Sequence, residues 1–120
     1  MVRESTVSRR SELYLDAIAV IERRYAEEDL SLHAVARTIA TSRRQLQRAF
    51  AEAGATSFRR ELQRVRMARA ADLLREGSLS VQAVAGAVGY RQAAQFAKAF
   101  RRHYGAPPSA FRHHSERLAA

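Results

Sequence analysis

Two stretches of this sequence, "LSLHAVARTIATSRRQLQRAF" from Leu30 to Phe50 and "LSVQAVAGAVGYRQAAQFAKAF" from Leu79 to Phe100, carry nearly the same pattern. Each places a Ser before a short segment of helical apolar spacing, then a break, then a second helical segment that ends in Phe. Two copies are too few for a solenoid. The repeat therefore predicts two helix-turn-helix units, although a pair of generic helical hairpins would have the same outline.

The rest of the chain predicts helices as well, because no segment alternates with a period of two residues. We expect an all-α fold of about seven helices, with Gly54, Gly77 and Gly105 ending three of them. Ser11 is expected to cap the first helix. Its apolar stripe is predicted at Leu15, Ile18, Ile21 and Tyr25, broadened by Leu13, Ala17 and Val20.

The predicted organisation has five parts. They are a flexible segment over 1–10, a first lobe over 11–56, a linker helix over 57–76, a second lobe over 77–114 and a tail over 115–120. The linker helix is expected from Phe58 to Arg75, which is roughly 27 Å at 1.5 Å per residue. Successive major-groove segments on one face of DNA lie about 34 Å apart. One chain is therefore expected to bind DNA as a monomer.

Composition limits the classes of function that the chain can have. The chain has 120 residues and a net charge of +9, and Lys98 is the only lysine among its 21 basic residues. Such a charge attracts nucleic acid or an anionic membrane, but the basic residues are spread over several short helices rather than along one amphipathic stripe. Without Cys there is no disulfide, thiolate zinc site or Cys nucleophile. With no membrane span and no signal peptide recognised, we expect a cytoplasmic, nucleoid-associated protein that does not bind membranes.

The second helix of the first unit predicts a base-reading surface. Leu46, Ala49 and Phe50 must face the core, so the opposite face carries polar side chains. Arg and Gln are the side chains that read guanine and adenine edges. The expected readers are Arg43, Arg44, Gln47 and Arg48. The alternative is an ordinary solvated charged face.

The second unit differs at the equivalent positions. Ala94 and Ala97 cannot donate or accept a hydrogen bond, and at best they touch a thymine methyl group. The candidate readers there are Gln92, Ala93, Ala94, Gln95 and Lys98. The pattern thus predicts asymmetric recognition, in which the first unit supplies most base hydrogen bonds and the second contributes phosphate contacts and shape.

Phosphate contacts are expected from polar and basic residues near the helix ends. The candidates are Thr41, Ser42, Arg59, Arg60, Arg91, Arg101, Arg102 and His103. Arg112 is expected either to join them or to lock the last helix. For Arg64, Arg66 and Arg69, surface charge or internal ion pairing is favoured over DNA contact.

No constellation for catalysis, a metal or a cofactor is recognised. His33 is expected on the surface, and no Cys or carboxylate cluster supports a metal site at His103 or the pair His113 and His114. The chain is therefore not expected to be an enzyme. The rivals to a sequence-specific DNA binder are a protein-interaction module and a nonspecific architectural DNA-binding protein.

Further residues extend the repeat to a family signature. The second unit carries Gly89-Tyr90, Phe96, Phe100-Arg101, Gly105, Pro108 and Phe111-Arg112, and the linker carries Arg66-Met67, Ala70 and Leu73-Leu74. Over residues 12 to 112 the chain resembles the DNA-binding domain of AraC/XylS-type transcriptional regulators. The resemblance implies a seven-helix fold with two lobes and a recognition helix in each. It also implies sequence-specific promoter binding, usually with activation through RNA polymerase.

The resemblance assigns base readout to Arg44, Gln47 and Arg48, and in the second lobe to Ala93, Ala94, Gln95 and Lys98. Family members commonly have polar residues where Ala93 and Ala94 stand. The turn "GATSF" is one residue longer than usual, and Pro107 replaces a capping Ser or Thr, which predicts a loosely started last helix. The chain is expected to be either a stand-alone member or the DNA-binding fragment of a larger effector-responsive regulator.

Overall fold

The computed structural model describes the backbone of residues 4–112 and the side chains of residues 6–112. This part of the chain is helical and has no strand, so the all-α prediction with seven helices is confirmed. The helices are α1 (Glu4–Arg24), α2 (Leu32–Thr38), α3 (Arg43–Gly54), α4 (Phe58–Glu76), α5 (Val81–Ala87), α6 (Ala93–Tyr104) and α7 (108–112).

The two repeats form equivalent helix pairs. α2 and α5 each have 7 residues, and α3 and α6 each have 12. Three of the four begin at a Ser whose hydroxyl oxygen accepts a backbone N–H, as N-caps do. Ser31, Ser42 and Ser80 accept from residues three positions on, at 3.0–3.1 Å. Gln92, which precedes α6, makes no such bond.

The first helix differs from its prediction. α1 begins at Glu4, so Ser11 lies inside the helix and does not cap it. The buried stripe consists of Leu13, Ala17, Val20 and Ile21, whereas Leu15 is 64% exposed. The expectation that Leu15 faces the core is therefore wrong. The packing of α1 on α3 buries the side of the predicted stripe that carries Leu13, Ala17 and Val20. On the same helix, the Tyr14 ring meets the Phe50 ring edge-on at 5.8 Å.

Gly54 also has a different role from the one predicted. The left-handed residue that ends α3 is Ala55, with a φ of 50°. A Cβ on Gly54 would lie 2.4 Å from a ring carbon of Tyr14. Gly54 therefore leaves room for a neighbouring ring rather than supplying the stop.

The described residues form two compact units, and the division falls inside α4. The first unit contains α1, α2, α3 and α4 up to Leu62, and the second contains the rest of α4, α5, α6, α7 and the turn Tyr25–Glu28. Thus the predicted linker helix is one continuous helix whose residues belong to both units. The second unit is built on a buried cluster that includes Met67, Ala70, Leu74, Val84, Phe96 and Phe100.

The last helix is held by packing. The Phe111 ring contacts the rings of Phe100 and Tyr104, with centroids 5.4 and 5.7 Å apart, and the Arg75 guanidinium lies 4.9 Å from its centre. Arg112 donates a hydrogen bond to the carbonyl of Leu79, so its structural role is the one observed. Pro107 has no hydroxyl with which to cap the helix, and its carbonyl oxygen accepts a hydrogen bond from the Phe111 amide at 3.1 Å.

Candidate nucleic-acid interface

The side chains of α3 that were predicted to read bases are exposed in the structure. Leu46, Ala49 and Phe50 are buried, as their spacing required. Arg44, Gln47 and Arg48 are exposed on the opposite face, and we call these three the first reading face. Arg44 and Arg48 are exposed, and neither forms an ion pair with a carboxylate within the described residues. Arg43 is also exposed and starts the helix.

A cleft of about 630 Å³ borders this face on the side of α2. It is lined by Ser31, Leu32 and His33 together with Arg43, Arg44 and Gln47. His33 was expected to be an ordinary surface residue. Its place beside the first reading face was not anticipated, because spacing within α2 does not reveal which helix α2 faces.

A second cleft, of about 270 Å³, borders α3 on the side of α1. It is lined by Thr6, Arg9, Arg10, Leu13, Gln45 and Arg48. Arg10 is paired with Glu52, and Arg9 lies 3.6 Å from Glu12 in an exposed pair. Sequence reasoning missed these arginines because it treated residues 1–10 as flexible. The available signal was their helical spacing, since Arg9 stands four residues before the buried Leu13.

A third cleft, of about 430 Å³, connects the first reading face to the start of α4. Gln47 and Arg59 line it, together with the rings of Phe50 and Phe58. Ser57 caps α4 by accepting a hydrogen bond from the Arg60 amide at 3.2 Å. Arg59 and Arg60, two predicted phosphate contacts, lie in the first turn of α4. Arg59 borders the cleft beside Gln47. Arg60 is exposed but does not line that cleft.

The turn before α3 is ordered by its own side chains. The Ser42 hydroxyl oxygen accepts from the Gln45 amide at 3.1 Å, and the Thr41 hydroxyl lies 3.4 Å from the Gln45 side-chain oxygen. Thr41 and Ser42 are both predicted phosphate contacts, and they stand at the N-terminus of the 12-residue helix α3, where the partial positive charge favours anions.

The exposed face of α6 is less polar than that of α3. Phe96, Ala99 and Phe100 are buried, which leaves Ala94, Ala97 and Lys98 on the outward face. We call these three the second reading face. Ala94 and Lys98 are exposed and Ala97 is half-buried. The flanking Gln92 and Gln95 are exposed, whereas Ala93 is half-buried.

The basic residues in the last turn of α6 do not share one direction. At 100° per residue, Arg101 continues the line of Ala94 and Lys98, and Arg102 is turned to one side. His103 lies on the opposite side of the helix from Ala94 and contacts the Tyr104 ring, with centroids 4.7 Å apart. The geometry therefore brings Arg101 beside the second reading face and leaves His103 away from it.

Arg91, another predicted phosphate contact, is already paired. Its Nε donates to a carboxylate oxygen of Glu28 at 2.8 Å. Both side chains reach solvent, with 73% of Arg91 and 44% of Glu28 exposed. A DNA phosphate approaching Arg91 therefore meets a carboxylate as well.

Arg66 is a buried charge with a structural role. Its Nε and Nη2 donate to the carbonyl oxygens of Tyr25 and Glu27, both at 2.8 Å. Its guanidinium also lies 5.6 Å from the centre of the Tyr90 ring. Burial lowers the pKa of Arg66, and the nearby Tyr90 and Glu28 partly offset that effect. The sequence favoured surface charge or internal ion pairing over DNA contact for this residue; the structure instead buries it and directs its guanidinium to two backbone carbonyls.

Neither a metal cluster nor a membrane-spanning helix occurs in the described part of the chain. Its residues contain no group of three His, Cys, Asp or Glu side chains placed to hold a metal ion. His113 and His114 lie outside the described residues. Among the helices between residues 4 and 112, none combines the length and the apolar character needed to cross a membrane.

Comparison with known proteins identifies relatives of the chain. A family model described as a helix-turn-helix domain matches residues 35–114. An uncharacterised HTH-type transcriptional regulator of Mycobacterium bovis is 46% identical over 68 residues, which is 57% of this chain and 20% of that protein. The chain thus spans about a fifth of that curated relative's length.

Solved structures share the fold. A transcriptional regulator with an AraC-type DNA-binding domain from Chromobacterium violaceum has a TM-score of 0.80 at 27% identity, covering 87% of this chain and 92% of that one. The DNA-binding domain of the global transcriptional factor AdpA, solved with a target DNA, has a TM-score of 0.76 at 27% identity. That match covers 82% of this chain and 88% of the AdpA chain.

Proposed function

We propose a specific mode of DNA recognition for this chain, which belongs to the AraC-type family of helix-turn-helix DNA-binding domains. The chain is a sequence-specific DNA-binding domain of a transcription regulator. Within that role, α3 supplies most hydrogen bonds to base edges, and α6 contributes phosphate and apolar contacts. The observation that carries the proposal is the contrast between the exposed residues of the two reading faces.

The first reading face has the chemistry that base readout requires. Arg44 and Arg48 present two guanidinium groups that can each bind guanine O6 and N7 together, and Gln47 can pair with adenine N6 and N7. Each good bidentate contact contributes about 1–3 kcal/mol of discrimination against the wrong base. None of these side chains has to break a carboxylate pair within the described residues before it reaches a base.

The second reading face has little hydrogen-bonding capacity. Ala94 and Ala97 offer only methyl groups, which suit a thymine methyl or a close approach of the helix to the groove. Lys98 and Arg101 supply positive charge on the same side of α6. Although Lys98 is also a candidate base reader, we assign it with Arg101 to phosphate, because an ammonium group binds phosphate as a point charge. Sequence preference in this half of the site then arises from shape and from Gln95 at the flank.

Backbone contacts are assigned to the clefts that border α3. Arg59, Arg9 and His33 lie on different sides of the first reading face. When α3 enters a major groove, the phosphates that wall the groove lie beside such flanking residues. Each phosphate neutralised this way steepens the dependence of log K on log salt by about 0.9.

The chain carries two recognition helices, α3 and α6, so one copy has the parts to read two groove segments without a partner. We propose monomeric binding to two major-groove segments, supported by the presence of both helices in one chain. Activation through RNA polymerase at the nucleoid is proposed on the family resemblance alone. In vitro transcription from a promoter bearing the selected site tests it.

The test of the proposed function is selection of bound duplexes from a random library, followed by competition with scrambled DNA. A specific regulator yields a consensus of about two helical turns and retains the selected duplex in excess random DNA. The rival, an architectural DNA-binding protein, yields no consensus, and its affinity depends on salt alone. That second outcome would overturn the proposal.

A further inference from the structure

The turn Tyr25–Glu28 follows α1 in sequence but packs within the second unit. Arg66 holds it there, because its guanidinium donates to two backbone carbonyls of the turn at 2.8 Å each. Hydrogen bonds from a charged donor are stronger than those between neutral groups. The backbone of this turn is therefore fixed beside the helix-turn-helix of the second unit.

The contact is close on the side of that helix-turn-helix. Gly89, in the turn between α5 and α6, approaches so tightly that a Cβ would lie 2.8 Å from the Tyr25 carbonyl oxygen and 2.9 Å from the Arg66 guanidinium. Tyr90, the next residue, covers the same guanidinium. The Tyr25–Glu28 turn thus packs directly against the turn of the second helix-turn-helix.

Glu28 lies at the end of this anchored turn and reaches Arg91, two residues before α6 begins. Because Arg66 fixes the backbone of the turn, the pair separates through rotation of the Glu28 or the Arg91 side chain, both of which are exposed. The pair is solvent-exposed and so is of the kind that an incoming phosphate can displace. While it persists, the carboxylate neutralises Arg91 and repels a phosphate placed beside it.

We propose that Glu28 competes with DNA phosphate for Arg91 and thereby limits the affinity of the second unit for DNA. This inference rests on the proposed function, since it assigns Arg91 to the DNA backbone. Glu28 is then an affinity-determining residue that touches no DNA itself. Its removal releases a phosphate contact that the folded domain otherwise restrains.

The test measures binding of the full chain to the selected duplex over a range of salt concentrations. Glu28→Gln is expected to bind about two- to fivefold tighter at low salt, the range that an exposed ion pair covers. Its plot of log K against log salt should be steeper by up to about 0.9, one phosphate contact. Asp29→Asn removes the same charge one residue away and measures the general effect of added positive charge. Circular dichroism checks that both variants keep the wild-type helix content.

A second pair of variants isolates the competition between Glu28 and phosphate for Arg91. In an Arg91→Gln background, Glu28→Gln should give no gain beyond that of Asp29→Asn. A gain in affinity from Glu28→Gln that persists without Arg91 would overturn the proposal. So would a Glu28→Gln protein that binds DNA no more tightly than Asp29→Asn, or more weakly than wild type. Failure of the proposed function looks different, because the wild-type chain would then bind selected and scrambled duplexes equally. The Glu28 comparison depends only on phosphate contact and is read from the same titrations.

Discussion

Replacing Gly89 by Ala tests the packing of the second helix-turn-helix on the Tyr25–Glu28 turn. Gly89 has a φ of +95°, a conformation that L residues rarely adopt. That strain alone costs roughly 1–2 kcal/mol for a residue with a side chain. Gly105 provides a matched control, because its φ is +81° and a Cβ there would meet no atom within 4 Å.

The added cost at Gly89 comes from its neighbours. A Cβ would lie 2.8 Å from the Tyr25 carbonyl oxygen and 2.9 Å from Arg66, so one of them must move. Arg66 donates to that same carbonyl, and losing a hydrogen bond to a charged group costs about 1.5–3 kcal/mol. We therefore expect Gly89→Ala to lower the free energy of unfolding by about 2.5–5 kcal/mol and Gly105→Ala by about 1–2.

The assay is urea unfolding followed by far-ultraviolet circular dichroism, with the slope m fitted freely for each protein. A changed slope would reveal separate unfolding of the two units. The reasoning predicts that Gly89→Ala loses about 1.5–3 kcal/mol more than Gly105→Ala. Equal losses, within about 0.5 kcal/mol, would refute the close contact between Gly89, the Tyr25 carbonyl and Arg66.

Three further predictions follow from burial, capping and charge. Leu13→Ala should cost about 2–5 kcal/mol of unfolding free energy in the same urea assay, because Leu13 is buried, whereas Leu15→Ala should cost under about 0.5; equal costs would contradict the observed face of α1. Ser42→Ala should cost about 0.5–2 kcal/mol through the lost N-cap of α3, and an unchanged urea midpoint would exclude that cap. In binding titrations against variant duplexes, Arg44→Ala should cost about 1–3 kcal/mol of binding free energy and relax the preference at one base pair. Lys98→Ala should instead weaken binding to all duplexes alike and lower the slope of log K against log salt by about one. The reverse pattern would exchange the roles assigned to the two reading faces.

The sequence predicts much of this fold because the repeat is local. The starts of α2, α3 and α5 are indicated by Ser31, Ser42 and Ser80. The spacing of Leu46 and Phe50 identifies the buried side of α3. These signals lie within a few residues of each other and need no knowledge of tertiary neighbours.

Features that depend on contacts between distant segments are not visible in the sequence. Leu13 and Leu15 both belong to the predicted stripe of α1, and only the packing of α1 on α3 decides that Leu13 is buried and Leu15 exposed. The pairing of Arg91 with Glu28, 63 residues apart, has no local signature. The role of Gly54 beside Tyr14 is similar, since glycine after a helix usually indicates a stop.

The candidate site also contains residues that local spacing reveals and residues that depend on tertiary packing. The exposure of the first reading face is predictable residue by residue, because this face is the side of α3 opposite its buried residues; its role in base readout stays a prediction. His33 and Arg9 were missed as flanks of α3, because their proximity depends on how α1 and α2 pack around it.

The central claim is that α3 reads bases and α6 does so far less. The most direct measurement is a scan of single base-pair substitutions across the selected duplex, with wild-type protein and with Arg44→Ala, at one fixed salt concentration. We predict losses of about 1–3 kcal/mol per critical pair that cluster in one half of the site, and Arg44→Ala should flatten the profile in that half only. Losses of equal size in both halves, or an Arg44→Ala profile that keeps every base preference, would contradict the account.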